Sequence, residues 1–147
     1  MKKTKCDALA VAIGTSHGAY KFKGKAELRF DILNGIENEL KNFPLVLHGA
    51  SSVPQKYVDV INSHGGKLSG AKGVDDALLH EACTKHNIFK INTDTDLRLA
   101  YFSVLRTSLD EHPENIDLRK FNTQAIEEIA NYVAYKNEQV FNCANKA

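Results

Sequence analysis

Three short apolar runs, Ala8–Ile13, Leu45–Leu47 and Ile88–Ile91, recur along this chain with helical periodicity between them. The first is a continuous apolar run, as suits a strand covered on both faces, the third is interrupted by Lys90, and strands joined through helices pair in parallel by right-handed crossovers. The pattern therefore predicts an α/β fold on a parallel sheet. Between the first two runs, Leu33, Ile36, Leu40 and Phe43 form one helical stripe that Pro44 stops. Ser51-Ser52-Val53-Pro54 reads as a helix start, with a serine cap and a proline in the first turn. That helix runs through Tyr57 and Ile61 to a glycine stop at His64-Gly65-Gly66. Asp75 and Asp76 can cap a helix carrying Leu78, Leu79, Ala82 and Cys83. Beyond the third strand, a helix over 96–110 carries Leu97, Tyr101, Val104 and Leu105, and 112–120 reads as an irregular link around Pro113. The last helix, 123–141, places Ile126, Ile129, Val133 and Val140 on one face.

The 147 residues suffice for a single domain, read here as one unit over 1–147. Three strands are nevertheless few, since sheets of about 5–6 strands are typical and so small a parallel sheet leaves two bare edges. Either a partner covers them or the chain is part of a larger barrel; the abrupt opening in a strand favours the barrel.

A net charge of +1, from 19 basic and 18 acidic residues, gives no reason to expect nucleic acid or an anionic membrane as partner. Cys6, Cys83 and Cys143 are scattered and form no Cys-x-x-Cys pair, which fits a reducing, cytoplasmic setting. Lys2, Lys3 and Lys5 precede the first apolar run, but that run is shorter than the usual ~7–15 residue signal core and reads as a strand. No stretch approaches the ~18 apolar residues of a membrane span.

Two histidines stand just past apolar runs and just before glycines, in Ala10-Val-Ala-Ile-Gly-Thr-Ser-His17-Gly18 and Leu45-Val-Leu-His48-Gly49. The third run ends in a polar cluster, Lys90-Ile-Asn-Thr-Asp-Thr-Asp96. Carboxyl ends of parallel strands form the functional face of such folds, so these three places are where chemistry is expected. Taken alone, each histidine also reads as a strand-end ring bonded to backbone, and Ser51 and Thr95 read as helix caps. Asp96 and Arg98 are expected to make local contacts at a helix start. His64, His80, His86 and His112 show no ligand spacing and read as surface or capping residues.

Ala12-Ile-Gly-Thr-Ser-His-Gly-Ala-Tyr-Lys-Phe22, Pro44-Leu-Val-Leu-His-Gly-Ala-Ser51 and Lys90-Ile-Asn-Thr-Asp-Thr-Asp-Leu-Arg98 together resemble the last three strands of class II, zinc-dependent fructose-1,6-bisphosphate aldolase. Gly65-Gly-Lys-Leu-Ser-Gly-Ala-Lys-Gly73 is similar to the class IIB branch of that family. The resemblance runs from about Cys6 to the C-terminus. It implies a partial (β/α)8 TIM barrel, about strands six to eight with the C-terminal helices. Tagatose-bisphosphate aldolases share the two histidine motifs but usually carry something closer to Asn-Val-Ala-Thr at the third strand, so Asn92-Thr-Asp-Thr95 favours fructose bisphosphate.

The activity implied is reversible aldol cleavage of fructose 1,6-bisphosphate to dihydroxyacetone phosphate and glyceraldehyde 3-phosphate, in glycolysis and gluconeogenesis. The family's zinc acts as a Lewis acid. His17 and His48 match two of its ligands, while the third histidine and the catalytic aspartate belong to an earlier strand. The chain therefore holds no catalytic residue of its own and an incomplete Zn2+ ligand set; a monovalent cation is the further ion the resemblance admits. Gly18, Lys21, Gly49, Ser51, Asp94 and Thr95 match phosphate-contacting positions, with Asp94 acting through its main-chain N–H because a carboxylate repels phosphate. Asn92 matches the residue that hydrogen-bonds substrate hydroxyls. Arg119 looks like the family arginine that grips the second phosphate, in some members from a neighbouring subunit. The partners implied are a sugar phosphate, further copies of the chain and a complementing N-terminal half. The alternatives are a tagatose-bisphosphate aldolase-type enzyme, a non-catalytic half-barrel that binds a sugar phosphate or a partner protein, and a truncated product with no stable function.

Overall fold

The computed structural model describes residues 3–15 and 27–146. His17, Gly18, Lys21 and the lysine-rich stretch around them lie outside the described residues. Within them, β1 (Leu9–Val11), β2 (Leu45–Leu47) and β3 (Ile88–Ile91) form a parallel sheet in the order β1-β2-β3. Leu9, Ala10 and Val11 pair with Leu45, Val46 and Leu47, and Leu47 pairs onward with Ile91. The crossovers are α1 (Phe30–Glu39) after β1, and α2 (Gln55–Ser63) with α3 (Asp76–Lys85) after β2. After β3 come α4 (Thr95–Glu111) and α5 (Leu118–Tyr135), which continues into a π-helical turn, Lys136–Val140.

The α/β class and the parallel sheet are as expected. β1 is shorter than the 8–13 run: its ladder ends at Val11, while Ile13 stays fully buried and accepts the Arg29 N–H at 2.9 Å. Two apolar clusters hold the molecule. One packs α1 and α3 on the sheet through Leu33, Leu45, Leu47, Leu79, Ala82 and Ile88. The other joins α2, α4 and α5 through Tyr57, Val58, Ile61, Leu99, Ala100 and Tyr132.

Both C-terminal helices depart from the expected faces. The α5 helix starts at Leu118, where Asp117 caps it by accepting the Arg119 N–H at 3.0 Å, so the link before it is shorter than 112–120. Its buried stripe is Phe121, Ala125, Tyr132 and then Lys136, and Ile126 is left 64 % exposed. Of the expected aliphatic face, Val140 is buried and Ile129 packs against the second cluster, but Ile126 and Val133 are exposed, because Tyr132 packs edge-on against Tyr57 and its hydroxyl has a buried acceptor. In α4 the inward residues are Asp96, Leu99, Ala100, Ser103 and Ser108, while Tyr101, Val104 and Leu105 are half-buried. Small side chains on that face let α4 and α5 approach closely. At the sheet edge β3 leaves Phe89 74 % exposed, an aromatic ring on a strand with nothing among the described residues covering it. Among the described residues, no helix is long and apolar enough to cross a membrane.

Candidate functional site at the carboxyl ends of the strands

A parallel sheet must deliver its strand ends to one edge, and here the backbone ladder carries on just beyond the strands. The His48 N–H donates to Val11 O at 2.9 Å and the Asn92 N–H donates to Leu47 O at 3.2 Å. These bonds align Thr15, His48 and Asn92, and the Thr15 hydroxyl donates to His48 O at 2.7 Å. The Asn92 amide nitrogen lies 3.3 Å from His48 Nε2, and since an amide nitrogen only donates, Nε2 accepts. Lys90 Nζ donates to the other end of that amide, Asn92 Oδ1, which fixes its orientation.

Directly after His48, Gly49 adopts φ +63°, a left-handed turn that glycine takes without the steric cost of a side chain. The turn sends Ala50 and Ser51 inward, and Ser51 is buried. Its Oγ accepts the Asp94 N–H at 3.4 Å, and its carbonyl accepts the Val74 N–H at 3.0 Å. The Asp94 carboxylate is exposed and accepts from Arg98 Nε at 3.0 Å, while its amide bonds Ser51. Thr95 follows as the first residue of α4, whose N-terminus carries partial positive charge. Thr93 Oγ1, between these residues and Asn92, is buried without a hydrogen-bond partner among the described residues.

Arg119 is elsewhere. It stands in the first turn of α5, 90 % exposed, with Nε and Nη2 each 2.9 Å from the Asp117 carboxylate. The pairing holds Asp117 below the ordinary carboxylate range. Tyr132, near the other end of α5, bonds Asp96 in the first turn of α4, so that end is the one beside the mouth. Thirteen residues of helix put Arg119 about 20 Å away along the axis. Arg119 therefore cannot close over the mouth of its own chain.

Asp96 is not a local helix-start residue. Its carboxylate is fully buried and accepts the Ser52 N–H at 2.9 Å, the Val53 N–H at 2.8 Å and the Tyr132 hydroxyl at 2.8 Å. Burial, then the Asp96 charge and hydrogen bond, push the Tyr132 hydroxyl far above its usual range, so it stays a neutral donor. Burial and Glu128 do the same to Tyr57. Beside Asp96, the buried Lys136 donates to Ser52 Oγ at 2.5 Å and to Asp76, which also accepts from Ser52 Oγ at 2.5 Å and Tyr135 at 2.9 Å. The expected serine cap on α2 is replaced by this arrangement: Pro54 occupies the cap position, and no side chain caps the helix. Asp75 does cap α3, accepting the Ala77 N–H at 2.8 Å. The capping reading of the remaining histidines holds for His64, His86 and His112, which end α2, α3 and α4. His80 instead ties α3 to the π turn, with Nδ1 2.9 Å from Val140 O.

A catalytic zinc takes three protein ligands and an open position. Among the described residues no group of three His, Cys, Asp or Glu side chains is placed to hold a metal ion. At the strand mouth they offer the His48 imidazole, whose Nε2 faces the Asn92 amide. They do not make a complete zinc shell.

Comparison with known proteins fits this geometry. The family model described as fructose-bisphosphate aldolase class-II matches residues 1–146. Similar proteins include a fructose-bisphosphate aldolase of Helicobacter pylori (strain ATCC 700392 / 26695), 43 % identical over 146 residues, which cover 99 % of this chain and 47 % of that protein. One of Thermus caldophilus is 44 % identical over 138 residues, covering 94 % of this chain and 45 % of the relative. One of Giardia intestinalis is 46 % identical over 121 residues, covering 80 % and 36 % respectively. The chain spans about half the length of the curated relatives it matches. With nearly every residue inside the family match and the strand-end residues of β2 and β3 meeting at one mouth, the chain belongs to the class II fructose-bisphosphate aldolase family.

Proposed function

We propose that this chain is the C-terminal half of a class II fructose-bisphosphate aldolase, contributing strands six to eight of a (β/α)8 barrel over residues 1–147. The full enzyme is a lyase that cleaves fructose 1,6-bisphosphate reversibly to dihydroxyacetone phosphate and glyceraldehyde 3-phosphate, in cytoplasmic glycolysis and gluconeogenesis. The observation that carries this reading is the meeting of His48 and Asn92, and of Ser51 and Asp94, at the ends of adjacent parallel strands. The bare aromatic edge at Phe89 supports a further strand or helix beside β3. The substrate follows the names of the relatives and the Asn92-Thr-Asp-Thr95 sequence.

The chain's part in the reaction is recognition. Ser51 Oγ and the amides of Asp94 and Thr95 are proposed as the phosphate donors, supported by the meeting of Ser51 and Asp94 at the α4 N-terminus. The Arg98 pairing keeps the Asp94 carboxylate from opposing the anion. Gly18 and Lys21 are proposed to complete this cradle beside Gly49, and Asn92 to hydrogen-bond a substrate hydroxyl near the scissile bond. Zinc is proposed to take His17 and His48 as two of its ligands, with the others supplied from outside this chain. Arg119 is proposed to grip the second phosphate of a neighbouring copy in an oligomer, and its distance from the mouth along α5 supports this.

Calorimetric titration with dihydroxyacetone phosphate tests the recognition role. Heat of binding at millimolar ligand, with no zinc-dependent cleavage of fructose bisphosphate by the chain alone and turnover on mixing with an N-terminal half, is the expected result. No heat would reject the phosphate cradle, and metal-dependent turnover by the chain alone would reject the half-enzyme.

A further inference from the structure

The loop Ser51–Val53 is held in a conformation its sequence disfavours. Val53 has φ +52°, a left-handed value that is an outlier for a β-branched residue and is sterically strained. Its side chain is buried, so the strained residue is locked into the apolar cluster between α2 and α4 instead of yielding to solvent.

What opposes the strain is a carboxylate from another element. Asp96, on the first turn of α4, is 0 % exposed and accepts both the Ser52 and the Val53 amides, at 2.9 and 2.8 Å. Hydrogen bonds to an ionised group are about twice as strong as neutral ones, and a buried carboxylate deprived of its donors is costly. The loop therefore cannot relax without stranding that charge. Ser51, the residue before these amides, places its hydroxyl against the Asp94 N–H, two residues before Asp96 on the same backbone. One short segment, 94–96, thus bonds the Ser51 hydroxyl through an amide and the next two loop amides through a carboxylate. The Ser52 and Val53 amides are committed to Asp96, which leaves the Ser51 hydroxyl and the α4 amides as the donors toward a ligand.

We propose that Asp96 is a positioning residue of the phosphate cradle, holding Val53 left-handed and so keeping the Ser51 hydroxyl over the Asp94 amide. This rests on reading Ser51 and Asp94 as phosphate donors. Tyr132 donates its hydroxyl to the same carboxylate from α5, while the Ser52 and Val53 amides bond Asp96 itself, which provides the control.

The test compares the wild-type chain with Asp96→Asn and Tyr132→Phe. NMR couplings report the Val53 φ angle, and calorimetry reports dihydroxyacetone phosphate affinity well below each melting temperature. Asn offers one acceptor and a competing donor, so in Asp96→Asn Val53 should leave the left-handed region and affinity should fall about tenfold or more. Tyr132→Phe should keep Val53 left-handed and bind within about twofold of wild type despite a lower melting temperature, because both amide bonds remain. A left-handed Val53 in Asp96→Asn, or affinity losses that merely follow melting temperature in both variants, overturns the proposal. Should Asp96→Asn not fold, amide exchange in the wild type decides: strong protection of Ser52 and Val53 is expected, and free exchange at either rejects the hold. A wild-type chain that binds no dihydroxyacetone phosphate sinks the cradle reading and, with it, the cradle role of Asp96; the φ and exchange measurements then show separately whether the carboxylate holds the loop.

Discussion

Substituting Gly73 by alanine should damage the Ser51 loop from the side opposite Asp96. A Cβ built on Gly73 would lie 2.3 Å from Ser51 O, 2.3 Å from Ser52 C and 2.4 Å from Ser52 O. All three are backbone atoms, and each is roughly 1 Å inside ordinary van der Waals contact. No side chain can swing away to relieve them. Either the 51–52 backbone shifts, against its bonds to Asp96, or the 72–74 segment shifts and loses the Val74 N–H bond to Ser51 O at 3.0 Å. Overpacking of this kind costs about 1–3 kcal/mol, and the lost backbone bond about 1 kcal/mol more. The expected destabilisation of Gly73→Ala is therefore about 2–4 kcal/mol, a large share of the roughly 5–15 kcal/mol that holds a domain together. Urea unfolding followed by circular dichroism measures it, with phosphate affinity read in parallel. A Gly73→Ala chain unfolding within about 0.5 kcal/mol of wild type would refute the close-approach argument.

Gly35→Ala should do the opposite: it lies exposed inside α1, a Cβ there meets nothing within 4 Å, and the gain should be about 0.5–1 kcal/mol in the same unfolding assay. Burial alone would raise the Asp76 carboxyl, but the hydrogen bonds from Lys136, Ser52 and Tyr135 outweigh it and hold Asp76 below its ordinary 3.8. A carboxyl depressed in the folded state contributes stability above its unfolded pKa and loses it as pH falls through the folded one, so this contribution should be level above about pH 5 and decline below 3.8. Asp76→Asn should flatten that acid limb; urea midpoints between pH 2 and about 6 that decline as steeply as in wild type would contradict it. Arg119→Ala should leave the urea unfolding midpoint essentially unchanged, given an exposed ion pair, and should leave dihydroxyacetone phosphate binding by the single chain intact. Lost binding there would show that Arg119 reaches its own mouth.

The sheet and its mouth were legible because they follow from local pattern plus one geometric rule. Leu45–Leu47 and Ile88–Ile91 are strands with the bounds their apolar runs suggest, and parallel pairing obliges His48 and Asn92 to end up together. The start of α5 was also legible: Asp117 before Leu118 is an ordinary cap, overshadowed by Pro113 in the same stretch. The face of α5 was not. Counting aliphatic residues selects Ile126, Ile129, Val133 and Val140; Val140 is buried and Ile129 partly so, but the burial expected of Ile126 and Val133 went to Phe121 and Tyr132 because a hydroxyl found a carboxylate inside.

Asp94 and Asp96 show where local reading stops. Two positions apart at a helix start, they point about 200° away from each other, so the helical period alone says that one faces in if the other faces out. It does not say which, since both are equally polar. Arg98, one turn along, suits an exposed Asp94, but the decision lies with partners distant in sequence: Asp96 needs the amides of Ser52 and Val53, over forty residues earlier, and Tyr132, 36 residues later. A buried carboxylate is stable only where such donors already converge. Its location is a property of the packed α2, α4 and α5 together, and it becomes readable only once the loop after β2 is seen turning back over the start of α4.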